Sequence, residues 1–253
     1  MTRIVNNCVA LVCLCLFWGQ SLRAADASHS EQIKWGNESV FNEEHNTLGL
    51  FSGVLGGQIV LAGGTSDDYS RWGRNAVCLS ENAGFALYED VLSKPLAYGA
   101  SITLSDGILC IGGRDSSQCY EDVFFVTMQQ GKLNVSEDWP PLPFPLSNAA
   151  GALLDNKVYL FGGRKSVSPS RLSDSFFVLD LSNKSRGWKE LPGYPGCVRE
   201  DAILVVQNNG VSPCLYLLGG QTETEEGLSS CLTDGYVYNP QLGKWSSLGS
   251  DFP

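Results

Sequence analysis

An apolar run closed by a Gly-Gly pair recurs four times along this chain. IVLAGG ends at Gly64, ILCIGG at Gly113, VYLFGG at Gly163 and LYLLGG at Gly220. The intervals are 49, 50 and 57 residues, and the longest contains an insertion at 207–213 (QNNGVSP). A fixed period of this length marks a repeat architecture, in which one unit cannot bury its own faces and must stack on its neighbours. A second mark keeps step with the first. Trp139-x-x-Leu142, Trp188-x-x-Leu191 and Trp245-x-x-Leu248 follow the second glycine by 26, 25 and 25 residues, and Tyr88-x-x-Val91 takes this slot in the first repeat.

Each unit reads as four short strands, a to d. The small, apolar segment 149–154 (AAGALL) typifies strand a, and a tight turn such as Asp106-Gly107 or Asp155-Asn156 leads into strand b. Strand b is the VYLFGG type, c the SFFVLDL type, and d the GWKELP type. A four-stranded meander repeated at about 50 residues is a kelch-type β-propeller blade, so the fold class is all-β. The glycines let the chain leave strand b near the axis, where a β-carbon would be crowded. The tryptophans cover apolar surface between adjacent blades. The blades are expected at about 48–95, 96–145, 146–195 and 196–250, within a propeller running from 28 to 253.

The ends read differently. Arg3 precedes an apolar run at 8–18 (CVALVCLCLFW), and Ala25-Asp26-Ala27 follows a polar turn. Eleven apolar residues are too few to span a bilayer, and the pattern is that of a secretory signal peptide over 1–27. The expected location is therefore periplasmic or secreted, with no membrane association after cleavage. Residues 32–35 (QIKW) resemble a lone strand d, placed at 32–36, of the kind that completes a last blade. No a-b-c set follows the fourth repeat to receive it. Four blades of an expected six, in a chain truncated at its C-terminus, is the reading this strand count favours; the alternative is a four-bladed ring with a spare strand.

Composition narrows the function. The formal charge of −10 argues against a nucleic-acid groove, which needs a basic stripe. Only two histidines occur, His29 and His45, so no metal centre is expected and a copper oxidase built on histidine ligands is a poor fit. No nucleotide motif of the G-x-x-x-x-G-K or G-x-G-x-x-G kind is placed to act, so no cofactor is expected. Six cysteines lie beyond the leader, none with C-x-x-C spacing, and read first as buried free thiols, with Cys110 and Cys119, which flank one b–c loop, as possible disulfide partners. Cys214 and Cys231 open neighbouring antiparallel strands, on the order of 20 Å apart, too far for a bridge.

The segments 95–113 (PLAYGASITLSDGILCIGG) and 142–163 (LPFPLSNAAGALLDNKVYLFGG) resemble the cyclically permuted mutarotase family of six-bladed kelch propellers, similar to the sialic acid mutarotases. The resemblance covers about 35–253. It implies a carbohydrate isomerase acting on a small acidic sugar, sialic acid, with no protein partner specified. It also implies an acid/base glutamate and an arginine in a stretch like N-G-E-x-x-P-G-x-R, which this sequence lacks. Gly163-Arg164-Lys165 has no glutamate at the matching place, and Gly220-Gln221-Thr222-Glu223 lacks the Pro-Gly-x-Arg. No catalytic residue is therefore assigned, and this chain alone is expected to be inactive. The alternative is a non-enzymatic kelch module binding a glycan or a protein, which fold alone does not separate from an enzyme.

Blade topology nominates a binding face. The d–a and b–c loops emerge together, so Tyr98, Asn148 and Arg199 at d–a junctions line the mouth of the central channel. The b–c loops add Asp67, Asp68, Arg114, Asp115, Arg164, Glu223, Glu225 and Glu226 to the same face. Mutarotation moves one proton to the ring oxygen and one off the anomeric hydroxyl, and an acidic sugar calls for a guanidinium that holds its carboxylate. Arg199, in GCVRED, is the expected clamp, unless it pairs with Glu200, Asp201 or a carbonyl. Tyr98, Asn148, Arg164 and Arg114 are the other substrate-binding candidates. The 223–226 acidic run reads as a solvated loop.

Overall fold

The computed structural model describes residues 48–80, 84–224 and 226–249. The leader at 1–27 and the strand expected at 32–36 lie outside them. Alternation of apolar and polar residues, broken by turns every few positions, yields four successive four-stranded antiparallel sheets. The first blade comprises β1 (Phe51–Leu55), β2 (Gln58–Ala62), β3 (Ala76–Ser80) and β4 (Gly84–Tyr88). The second comprises β5 (Ala100–Thr103), β6 (Ile108–Ile111), β7 (Val123–Gln129) and β8 (Lys132–Ser136).

In the third blade β9 (Ala150–Leu154) and β10 (Lys157–Phe161) are followed by a small hairpin, β11 (Arg164–Ser166) with β12 (Arg171–Leu172), then β13 (Phe176–Asp180) and β14 (Lys189–Glu190). The fourth has β15 (Ile203–Asn208), β16 (Pro213–Leu218), a hairpin of β17 (Gln221–Glu223) with β18 (Ser229–Cys231), then β19 (Gly235–Asn239) and β20 (Lys244–Gly249). Each sheet runs a-b-c-d, so the described residues form four blades of a kelch-type β-propeller.

The blades stack through three apolar layers. Phe51, Leu55 and Cys78 of the first blade meet Ile108, Cys110, Phe124 and Val126 of the second. Ala100, Ile102, Leu109 and Phe125 meet Val158, Leu160, Phe177 and Leu179 of the third. Ala150, Ala152, Tyr159 and Phe161 meet Leu204, Leu215, Leu217 and Tyr238 of the fourth. In the inner strands alternate residues serve opposite neighbours, as in β6, where Ile108 and Cys110 face the first blade and Leu109 and Ile111 the third, so these strands are apolar on both faces. In the fourth blade the positions equivalent to buried Ala150 and Ala152 are Ile203 and Val205, exposed by 51% and 39%.

The tryptophans divide into two kinds. Trp245 pairs with Tyr238 across β19 and β20, and Trp188 stands at the matching position in the third blade. Both pack toward the preceding blade. In the second blade that position belongs to Val135, paired with Val126. Trp139 comes four residues later, past β8, and packs 5.3 Å from Phe125 in the layer facing the third blade. All six described cysteines are free thiols, so the Cys110–Cys119 bridge is not formed. Cys110 is buried between the first two blades, and the Cys119 thiol lies 3.4 Å from the Ser147 hydroxyl.

The Gly-Gly pairs have a specific steric cause. All eight glycines have positive φ, between 57° and 108°. The linker leaving each of the first three blades runs directly across its pair. A β-carbon on Gly63 or Gly112 would lie 2.2 Å from the carbonyl oxygen of Leu96 or Leu146, and one on Gly162 would lie 2.6 Å from that of Arg199. Gly131, in the β7–β8 turn, also has positive φ (74°), but no atom lies within 4 Å of where its β-carbon would stand. Gly131→Ala should therefore cost about 1 kcal/mol of backbone strain alone. Gly112→Ala should cost ~3 kcal/mol or more, because strain is joined by a backbone collision. Urea unfolding of the two variants beside the unaltered chain checks the difference.

Candidate functional site

The segments leading into each strand a converge at one end of the blades. One residue in each holds a left-handed backbone: Gly49 (φ 64°), Tyr98 (60°), Asn148 (55°) and Asp201 (52°). Their backbones are joined in series. Tyr98 N–H donates to the Gly49 carbonyl (2.7 Å), Asn148 to Tyr98 (2.6 Å) and Asp201 to Asn148 (3.0 Å). The residue before each makes a two-way backbone pair with the residue just after a Gly-Gly: Leu48 with Thr65, Ala97 with Arg114, Ser147 with Arg164, Glu200 with Gln221. The d–a and b–c loops therefore meet in one rim, with Tyr98, Asn148, Arg114 and Arg164 on it.

Arg199 is placed two residues off the rim. Its carbonyl accepts from Gly163 N–H, as Leu96 and Leu146 accept from Gly64 and Gly113, so it occupies their core position. The β15–β16 hairpin is four residues longer than the β9–β10 hairpin, which puts Asp201 18 residues before Gly219 where Asn148 stands 14 before Gly162. Counting six extra residues instead of four assigns the rim position to Arg199. The small residue that follows each rim position, Gly99, Ala149 or Ala202, is the sequence signal that gives the right register.

Arg199 is fully buried and its guanidinium is spent internally. Nη1 and Nη2 donate to the two carboxylate oxygens of Asp234 (2.7 and 2.8 Å), Nη1 also to the Gly219 carbonyl (2.8 Å), and Nε to the Tyr194 hydroxyl (2.8 Å). Burial works against its charge, and the bonds to Asp234 and Tyr194 outweigh that, so its pKa is raised. The guanidinium stands 5.2 and 5.5 Å from the rings of Tyr194 and Tyr236. This geometry ties β19 to the linker and gives Arg199 no donor to present to a ligand at the mouth.

Arg164 is likewise neutralised. It donates through Nε to Glu200 (2.9 Å) and through Nη2 to both Glu200 and Glu223, the latter at 3.0 Å, and Nη1 reaches Ser170. The Glu200 hydrogen bond is the main cause of its raised pKa. Glu223 also accepts from the Ser170 hydroxyl (2.5 Å), so it joins the third and fourth blades instead of standing in solvent. Glu225 lies outside the described residues.

Arg114 differs from both. Among the described residues it has no carboxylate partner, and its hydrogen bond is a long one, 3.4 Å, to the Asp115 carbonyl. Its guanidinium lies over the rings of Tyr98 (4.6 Å) and Trp72 (5.1 Å). The Tyr98 phenol, raised by burial and by its 3.4 Å contact with the Tyr69 hydroxyl, stays protonated.

Asp201, which the sequence reading left unassigned, completes the rim. One carboxylate oxygen accepts from Asn148 Nδ2 (2.8 Å) and the other from Gln221 Nε2 (3.4 Å). Asp201 keeps surface exposure at the rim, yet the protein around its carboxylate partly desolvates it; that is the main cause of its raised pKa, Glu200 adds to the rise, and Asn148, Arg164 and Arg114 oppose it without cancelling it. Asp68 and Asp115 are both held low, at about 2. Glu223 and Asp234 are also lowered.

Asp234→Ala should cost about 3–5 kcal/mol at neutral pH, because it strands a buried guanidinium. Arg199→Leu, which restores the residue found at positions 96 and 146, should cost less. Arg199 lowers the pKa of Asp234, so the stability from this pair is present above the unfolded value, about 3.9, and is lost as pH falls through the lower folded value. Urea midpoints at pH 7 and pH 3 should show the gap between Asp234→Ala and the unaltered chain narrowing in acid.

Comparison with known proteins agrees with this architecture. The family model for N-acetylneuraminate epimerase matches residues 139–253. An N-acetylneuraminate epimerase of Yersinia pestis (strain Pestoides F) is 30% identical over 120 residues, 47% of this chain and 28% of that protein. A kelch domain-containing protein of Vibrio cholerae is 31% identical over 115 residues, 45% of this chain and 29% of that protein. The matches thus span under a third of those relatives' length. The solved structure of YjhT superimposes with a TM-score of 0.63 at 13% identity, over 80% of this chain and 70% of that one. The chain is thus similar to N-acetylneuraminate epimerases over residues 139–253, and the likeness to YjhT is one of fold.

Proposed function

We propose that the rim binds an acidic sugar of the N-acetylneuraminate class and that Asp201 carries the proton in the interconversion of its anomers. The observation behind this reading is a carboxyl with a raised pKa, bonded to Asn148 of the adjoining linker, beside an arginine that has no carboxylate partner among the described residues. The match to N-acetylneuraminate epimerases supports the substrate class. The same reading places the protein outside the cytoplasm, periplasmic or secreted, on the strength of the leader-like pattern of Arg3 and residues 8–27.

The chemistry asks little of the protein. The anomeric hydroxyl gives up its proton, the bond from the anomeric carbon to the ring oxygen breaks, a carbonyl forms, and the ring oxygen takes a proton. Closure on the other face of the carbonyl reverses each step and yields the other anomer. No electrons are gained or lost. A carboxyl serves best when its pKa lies near the working pH, so that it both accepts and returns a proton. Asp201 meets that condition better than Asp68 or Asp115, whose hydrogen bonds stabilise the ionised form. Tyr98, kept protonated, donates a hydrogen bond to a sugar oxygen. The stretch in which the family carries its glutamate and arginine is absent from this sequence, and Asp201 takes the proton-transfer role in these blades.

Freshly dissolved N-acetylneuraminate relaxes to its equilibrium anomer ratio at a rate that proton NMR follows directly. The protein should accelerate this relaxation in proportion to its concentration. Asp201→Asn should lower the acceleration by about 10²-fold or more, with little change in the thermal midpoint. The rate should fall on acidification along a limb above the ordinary carboxylate range, because Asp201 must be ionised to take the first proton. No acceleration by the folded protein overturns the reaction.

A further inference from the structure

Of the arginines on the rim-facing linkers and loops, Arg114, Arg164 and Arg199 meet two different fates. Arg199 is closed by Asp234 and Arg164 by Glu200 and Glu223, while Arg114 has no carboxylate partner among the described residues. In a chain with 27 acidic and 17 basic residues, that is a feature needing a cause. The nearest acidic side chain in sequence, Asp115, is turned to other work. It accepts from Ser117 N–H (2.7 Å), the Ser117 hydroxyl (2.8 Å), Gln118 N–H (2.9 Å) and the Tyr120 hydroxyl (2.6 Å). Its lone pairs are satisfied by the turn it caps, and it makes no bond to the guanidinium beside it.

What holds Arg114 is aromatic. Trp72 and Tyr98 meet edge to face, with centroids 6.3 Å apart, and the guanidinium lies over both rings. Stacking on ring faces leaves the edge donors of a guanidinium available, which is the arrangement that favours planar recognition of a carboxylate. The first-blade loop that supplies Trp72 is itself fixed. Asp68 accepts from Ser66 (2.5 Å) and from the Ser70 amide and hydroxyl (3.0 and 2.7 Å), and the Trp72 indole donates to the Tyr69 carbonyl (3.1 Å). Tyr69, exposed by 49% and at positive φ, brings its hydroxyl to that of Tyr98. The aromatic faces are thus set before a ligand arrives.

We infer that Arg114, seated on Trp72 and Tyr98 with Tyr69 at their side, is the subsite that recognises the carboxylate of an acidic sugar. The aromatic rings take the apolar edge of the ligand, and the guanidinium discriminates acid from neutral sugar. Arg114 pairs through its backbone with Ala97, next to Tyr98, and the rim runs on from Tyr98 through Asn148 to Asp201, so carboxylate subsite and reacting centre belong to one rim. This rests on the acidic-sugar reading above and assigns the group that makes the rim selective.

Isothermal titration calorimetry with N-acetylneuraminate and with its C1 methyl ester, which has the same ring and no carboxylate charge, tests the assignment. The unaltered protein should prefer the acid by at least tenfold. Arg114→Gln should abolish that preference by weakening the acid alone, and Arg114→Lys, which keeps charge without the planar fork, should restore only part of it. A separate variant, Trp72→Leu, should weaken acid and ester together, because it removes the stacking surface. Thermal midpoints near that of the unaltered chain accompany each of these results if the variants are folded. Equal loss of acid and ester in Arg114→Gln, or no loss in either, overturns the subsite. Acid preference that depends on Arg114 in a protein that does not speed anomer relaxation keeps the subsite and sinks the proposed reaction. Acceleration that survives Arg114→Gln with its acid preference intact does the reverse.

Discussion

The fold depends on a backbone crossing. Each of the first three Gly-Gly pairs is held on one side by the segment leading into its own blade and on the other by the segment leading to the next. Gly113, for example, donates to the Leu146 carbonyl, while its neighbour Arg114 exchanges two hydrogen bonds with Ala97. Three lengths of main chain pass within van der Waals contact there, and a β-carbon has no room. Everything that follows, the stacking of blades and the meeting of d–a and b–c loops, is hung on this crossing repeated in the first three blades.

Because that scaffold is made of main chain, the side chains at the rim are free to differ. Position by position around it stand Gly49, Tyr98, Asn148 and Asp201, and beside them Thr65, Arg114, Arg164 and Gln221. The two sets sort into a paired region in the third and fourth blades, where arginine and glutamate neutralise each other, and an aromatic region in the first and second, where an arginine rests on rings. Asp201 sits where the two regions meet. The charge left over after internal pairing, rather than the number of charged residues, defines what the rim can hold.

The blades were legible because their cause is local and periodic. Gly-Gly pairs at nearly constant spacing report a steric necessity, and near-continuous apolar runs such as those of β6 and β10 report two buried faces. The rim was half legible. Tyr98 and Asn148 follow from counting back to the glycines, since their blades have equal hairpins. Asp201 does not, because the count passes through a lengthened hairpin and assigns its place to Arg199. The error is physical in origin: strand length is set by pairing partners, as between Asn208 and Pro213, which a count of residues does not register, whereas the small residue Ala202 marks the place. The fate of each arginine was not legible either. Whether a guanidinium is spent on Asp234 or left open depends on contacts between residues dozens of positions apart.

The series of amide-to-carbonyl links through Gly49, Tyr98, Asn148 and Asp201 runs in one direction around the mouth, each residue giving to the one before it. Such a series works as a ruler. Every member's distance to its neighbour is set by a bond that no side chain takes part in, so one residue type can be exchanged for another without moving the next. A mouth built this way can acquire a new ligand by point substitution at the rim, while the ring beneath keeps its dimensions.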